Sequence, residues 1–141
     1  MPVRESRAEW SGNLKNGKGR VNSQSGALEG AYSFGSRFRE GFKGTNPEEL
    51  IGAALASCFS MFLSMLLDQE GHTPNKVESR AKVHLDQTMG GFQITGIELA
   101  SEADVPGIEE RVLMEQAEKA KKGCPVSQSL KVPVSLNISL K

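Results

Sequence analysis

Hydrophobic positions are sparse over the first 45 residues, nearly continuous from Leu50 to Leu67, and alternating further on. In the first region Arg4–Trp10 and Lys18–Ser25 read as short polar strands joined by the turn-rich GNLKNGKG, and Tyr32–Phe34 as a third short strand. The stretch SRFREGFKGT reads as a glycine-bearing polar loop that delivers the chain to a long helix. Asn46 is placed to cap that helix, Pro47 suits its first position, and Glu48 and Glu49 suit the positive end of its dipole. Gly71, followed by Pro74, predicts its end. Alternation through Val77, Ala81, Val83 and Leu85, a Met89-Gly90-Gly91 turn, and renewed alternation from Phe92 to Ser101 predict a hairpin. Residues 108–122 carry a helical pattern ended by Gly123, Pro125–Leu130 reads as a second short helix, and Val132–Leu140 as a closing strand. Strands, helix, hairpin, helices and strand in that order predict one α+β domain over residues 1–141, without repeats or linkers.

The apolar run is long enough to span a membrane. Acidic residues flank it on both sides, no basic cluster sets an orientation, and Gly52, Ser57, Ser60 and Ser64 lower its hydrophobicity, so a membrane role is not expected. An uncharged helix in a soluble domain is expected to be buried on all sides, which in a chain of this size calls for a partner subunit. Seventeen basic and seventeen acidic residues cancel, which removes the electrostatic case for nucleic acid or an acidic lipid surface. The polar, charged opening MPVRESRAEW is unlike a secretory signal, and the expected compartment is the cytoplasm. In that reducing setting two cysteines read as free thiols or a redox couple rather than a structural staple.

Cys58 stands in the middle of the apolar run, where a small apolar filler is the plain alternative to a chemical role. Cys124, just before Pro125, takes the N-cap position of the short helix, with Lys121 and Lys122 close by. Cap amides and cations both favour thiolate, so local electrostatics names Cys124 as the more acidic thiol. His72 and His84 have no cysteine or carboxylate at metal-ligand spacing, and neither a metal nor a cofactor is expected. Met61 and Met65 read as core residues or as a flexible apolar wall for a ligand.

Taken together, SRF, GTNPEELIGAALASCFSM and GCPVSQSL resemble the OsmC/Ohr family, the osmotically inducible and organic hydroperoxide resistance proteins, over essentially the whole chain. GTNPEEL and GCPVSQ are more similar to the OsmC branch. The resemblance implies antiparallel sheets packed around a long buried central helix, in an intertwined homodimer. It implies a thiol peroxidase with Cys58 as peroxidatic cysteine, Cys124 as resolving cysteine, and a sulfenic acid that closes to an intrachain disulfide. Arg37 and Glu48 match the family's arginine and glutamate. The segment between them is a residue longer than expected and offers Arg39 as a second arginine. The implied partners are a small-molecule hydroperoxide and a thiol reductant, with lipoylated proteins as one candidate. A non-catalytic redox sensor and a small-molecule-binding dimer are the competing readings of the same residues.

Ten helical residues between Glu48 and Cys58 correspond to about 15 Å of rise. This spacing leaves open whether Glu48 serves its own chain or a partner. Gly52, Ala56 and Ser60, recurring every four positions, are expected to let two such helices cross closely near residue 53, bringing Glu48 of one chain level with Cys58 of the other.

Overall fold

The polar N-terminal segments pair with one another in the computed structural model, which describes residues 1–141. They belong to the first of two compact units, Met1–Leu50 and Ile51–Lys141. Strands β1 (Ser6–Ser11), β2 (Lys18–Ser23) and β3 (Glu29–Tyr32) form an antiparallel sheet in that order. Gly19 of β2 must be bare, because a Cβ there would lie 2.5 Å from the ring of Tyr32. The third strand ends where Tyr32–Phe34 was expected to begin. Ser33 instead caps a five-residue helix, α1 (Phe34–Phe38), which runs from the end of the expected strand into the stretch read as loop. Ser33 Oγ accepts from the Ser36 amide at 3.1 Å while the Ser33 amide donates to Ser36 Oγ at 2.8 Å, so two end groups satisfy each other.

Helix α2 (Pro47–Gln69) starts and stops as its sequence dictates. Asn46 Oδ1 accepts from the Glu49 amide at 2.8 Å. At the far end Gly71 takes a φ of 83°, and the His72 amide donates to the Leu67 carbonyl at 2.9 Å, a glycine-closed C-terminus.

In the second unit β4 (Lys76–Thr88) and β5 (Gly91–Asp104) form the predicted hairpin, with a register shift between His84 and Leu85. Helices α3 (Glu110–Gly123) and α4 (Pro125–Ser129) then return the chain to β6 (Val134–Leu140), which pairs with β5 in parallel. The second sheet is therefore mixed: a helical crossover brings the strand back in the same direction, which a tight turn does not.

Leu55, Phe59, Leu63 and Leu67 recur every four residues along α2 and are fully buried. Phe59, Leu63 and Leu67, together with Leu99, Ala103, Leu113 and Ala117, form the core between α2, the second sheet and α3, while Leu55 packs with Ile97 and Cys124. Burial of each large side chain contributes about 1.5–3 kcal/mol. Within one chain, however, α2 is not buried on all sides. Ala54, Ser57, Met61 and Met65 line an open face, with Met61 76% exposed. The stripe of small residues also points elsewhere than expected. A Cβ on Gly52 would sit 3.3 Å from the Ala81 carbonyl of β4, and Ser60 Oγ donates to Ser79 Oγ of β4 at 2.7 Å. Ser79 donates on to Ser101 Oγ at 3.0 Å, and Ser101 to the Glu78 carbonyl at 3.1 Å, so this hydroxyl chain is satisfied. Gly52 and Ser60 fit α2 against its own sheet, and the free face is the one bearing Ala53, Ala54 and Ser57.

Candidate active site

In the first unit, α1 and the start of α2 are tied together by short polar links. Ser36 Oγ donates to the Thr45 carbonyl at 2.6 Å, and Asn46 Nδ2 donates to the Ser36 carbonyl at 3.1 Å. These bonds present Arg37 to Glu48. Arg37 Nη2 donates to Glu48 Oε1 at 2.7 Å, and Nε donates to both carboxylate oxygens at 3.2 Å. This is a fork-to-fork pair, strong because both partners are charged and the geometry fixes the guanidinium plane. Glu48 is only 7% exposed. Arg39, the alternative arginine, lies over the rings of Phe34 and Phe42 at 5.4 and 5.9 Å. Of the two arginines, Arg37 is the one held by Glu48.

A cavity of about 250 Å³ adjoins Arg37, walled by Trp10, Leu14, Tyr32, Phe34 and Phe38. Neither it nor α1 was foreseen. The wall residues are spread along 29 positions with no common period. The only local signal for α1 is the Ser33–Ser36 spacing, weak without the usual Glu or Gln.

The second unit holds both cysteines, brought together by α2 and by the junction of α3 and α4. Cys124 closes α3, its amide donating to the Ala120 carbonyl at 3.0 Å, and caps α4, whose first residue is Pro125. Its Sγ–H donates to Cys58 Sγ at 2.7 Å. Both are free thiols, Cys124 fully buried and Cys58 half-buried. Leu55, Phe62, Val83, Ile97, Val126 and Leu130 pack around them, so the sulfurs meet in an apolar shell.

The acidity expected of Cys124 is reversed. Burial pushes its thiol pKa up, and the hydrogen bond to Cys58 adds to the rise. The Ser127 and Val126 amides pull it down without overcoming these effects. The cap amides are present as the sequence implied. Lys121 is engaged by Glu118 at 3.4 Å and does not offset the desolvation. His84 is likewise engaged, its Nε2 2.5 Å from Glu98 Oε2 on the exposed face of the sheet, where it holds the Glu98 carboxyl below its usual range.

Two free thiols in contact within an apolar shell of an α+β scaffold make a candidate dithiol site. The family model described as OsmC-like protein matches residues 40–139. The chain is 50% identical to peroxiredoxin OsmC of Escherichia coli (strain K12), over 98% of this chain and 96% of that one. It is 27% identical to the organic hydroperoxide resistance protein OhrB of Bacillus subtilis (strain 168), over 87% of this chain and 89% of the other. Among solved structures, the fold is shared with an OsmC-like protein from Mycoplasma pneumoniae (TM-score 0.79, 18% identity, 99% and 97% of the two chains). It is also shared with OhrB of Bacillus subtilis (TM-score 0.72, 24% identity, 97% and 98%). This chain belongs to the OsmC-like protein family.

Proposed function

We propose that the protein is a thiol-dependent peroxidase that reduces organic hydroperoxides, and hydrogen peroxide as well, through Cys58 and Cys124. The observation that carries this reading is the 2.7 Å contact between the two sulfurs inside an apolar shell. A thiolate at Cys58 attacks one peroxide oxygen. The O–O bond breaks, and the other oxygen leaves as alkoxide and is protonated to the alcohol. Cys58, now a sulfenic acid, condenses with Cys124 to a disulfide and releases water. A thiol reductant, such as a lipoylated protein, restores both thiols.

A thiolate in an apolar shell needs a fixed cation. Arg37, oriented by Glu48, supplies it, and its remaining nitrogen Nη1 carries no bond to Glu48. The aromatic cavity beside Arg37 suits an organic tail. Because Glu48 precedes Cys58 by ten residues of a continuous helix, about 15 Å of rise, the Arg37–Glu48 pair serves the cysteine of a second copy in an isologous homodimer. The open face of α2, where Ala53, Ala54 and Ser57 are small and Met61 is exposed, is the surface that second copy covers. Residues 1–141 act as a single OsmC-like domain of a soluble, cytoplasmic protein, consistent with relatives matched over nearly their full length.

Steady-state turnover of cumene hydroperoxide and hydrogen peroxide, with dithiothreitol and dihydrolipoamide in turn, tests the proposal. Wild type turns over with excess reductant and Cys58→Ser does not. A wild type that oxidises once and never cycles would identify a sensor instead.

A further inference from the structure

The last residue of α3 is a glycine for which the backbone gives no reason. Gly123 is absent from the glycines of positive φ, so its conformation is open to any residue. In a helix, glycine is disfavoured against alanine. Its neighbour across the interface supplies the reason. A Cβ at residue 123 would lie 3.0 Å from Cε1 and 3.1 Å from Cζ of Phe62. Carbon atoms in good contact lie about 3.5–4.0 Å apart, so with a side chain there the segment and the ring must give by a few tenths of an ångström.

The placement of this contact matters for the thiols. Phe62 stands one turn beyond Cys58 on α2, and Gly123 immediately precedes Cys124. Phe62 also packs in the shell that contains both cysteines. The ring-on-backbone contact and the sulfur-on-sulfur contact are thus neighbouring points of one close approach, between the end of α3 and the middle of α2. We propose that Gly123 and Phe62 are positioning residues that together set the distance from Cys124 to Cys58, and with it the rate of disulfide closure. The inference rests on the roles assigned above to the two cysteines. In the step concerned, Cys124 sulfur bonds to Cys58 sulfur, the S–O bond of the sulfenic acid breaks, and hydroxide leaves as water with the Cys124 proton. Cys58 is reduced and Cys124 oxidised, with no further reactant.

The argument predicts opposing defects that cancel. Gly123→Ala drives the segment off α2, and Phe62→Leu removes the ring edge on which it rests, so each single variant closes more slowly. Joined in one chain, the added methyl occupies the space left by the ring. A misplacement of an ångström at reacting atoms costs about a hundredfold in rate. A shift of a few tenths of that should slow closure about four- to tenfold in Gly123→Ala, while sulfenic acid formation at Cys58 stays within about twofold.

Rapid-quench mass spectrometry, with dimedone trapping of the sulfenic acid, separates the two rates after one peroxide addition. Diamide oxidation of the reduced protein measures closure independently of peroxide chemistry. The expected result is slow closure in both singles, earlier sulfinic acid in Gly123→Ala, and a double variant faster than either single in both assays. Unchanged closure in Gly123→Ala, or a double variant slower than both singles, would overturn the proposal. A wild type that forms no sulfenic acid speaks against the peroxidase reading instead, and the diamide ranking still decides the positioning roles.

Discussion

Replacing Glu48 by glutamine keeps its shape and changes only charge and one acceptor, which makes the cost of the Arg37 pairing calculable. Oε1 accepts from Nη2 at 2.7 Å and from Nε at 3.2 Å, and Oε2 accepts from Nε at 3.2 Å. In Glu48→Gln one oxygen keeps its contacts as ordinary hydrogen bonds, while the amide nitrogen faces Nε–H donor to donor. A hydrogen bond to a charged group contributes about 1.5–3 kcal/mol against about 0.5–1.5 for a neutral one, so the kept contacts weaken by about 1–1.5 kcal/mol and the lost one adds about 1. The Arg37 side chain is 36% exposed, and water compensates part of this; a net loss of about 2 kcal/mol in holding the guanidinium remains. If the orientation of Arg37 is what stabilises the Cys58 thiolate and the departing alkoxide, that loss lowers the rate of sulfenic acid formation about 30-fold. Single-turnover oxidation by cumene hydroperoxide, followed by mass spectrometry, measures that step without interference from the reductant. Arg39→Gln is the control, since Arg39 lies on Phe34 and Phe42 rather than on the carboxylate. A Glu48→Gln protein within twofold of wild type, or an equal loss in Arg39→Gln, would refute the reasoning.

Cys124→Ser should form sulfenic acid once and then proceed to sulfinic acid, visible as a gain of two oxygens on Cys58 by mass spectrometry. Peroxide-treated wild type should run as a monomer on non-reducing gels, because the sulfurs that meet belong to one chain; a covalent dimer as main product would contradict an intrachain bond. The raised pKa of Cys124 means that the fold favours its neutral thiol. This contribution is complete below the ordinary cysteine range, about pH 8.5, and is lost as pH climbs through the raised folded value, so reduced Cys124→Ala should lose less stability between neutral and alkaline pH than wild type in denaturant titrations. Mixing inactive Cys58→Ser with impaired Glu48→Gln, after verified subunit exchange, should restore about one working site per mixed dimer; no recovery would place Glu48 beside its own chain's cysteine.

Some elements were legible in the sequence because their causes are local. Asn46, Pro47 and Gly71 each act within a turn of the helix they begin or end, and α2 runs between them. The hairpin followed from alternation along Lys76–Gln87 and Phe92–Ser101, and its strands run slightly further, Lys76–Thr88 and Gly91–Asp104. Helix α1 did not, since five residues are too few for a period and its signal is the Ser33–Ser36 pair alone. The acidity of Cys124 was misjudged for a related reason. The Val126 and Ser127 amides are two and three residues away and could be counted, whereas the burial that outweighs them comes from Leu55, Ile97 and other distant parts of the chain.

Small residues show how far such reading extends. Gly52, Ala56 and Ser60 signal that some backbone approaches α2 closely, but spacing cannot say which, and β4 of the same chain takes up Gly52 and Ser60. Gly123 was read as a helix terminator, and α3 does end there, but without the positive φ that calls for glycine; its missing side chain admits the ring of Phe62. In each case the sequence records that space is needed and leaves the occupant to the fold. The same logic bears on the open side of α2. With the stripe of Gly52 and Ser60 committed to β4, a second helix is left the face of Ala53, Ala54 and Ser57, still small enough for close approach near residue 53. A crossing there keeps Glu48 of one copy level with Cys58 of the other. The face that one chain leaves uncovered is therefore the face that the proposed shared site requires.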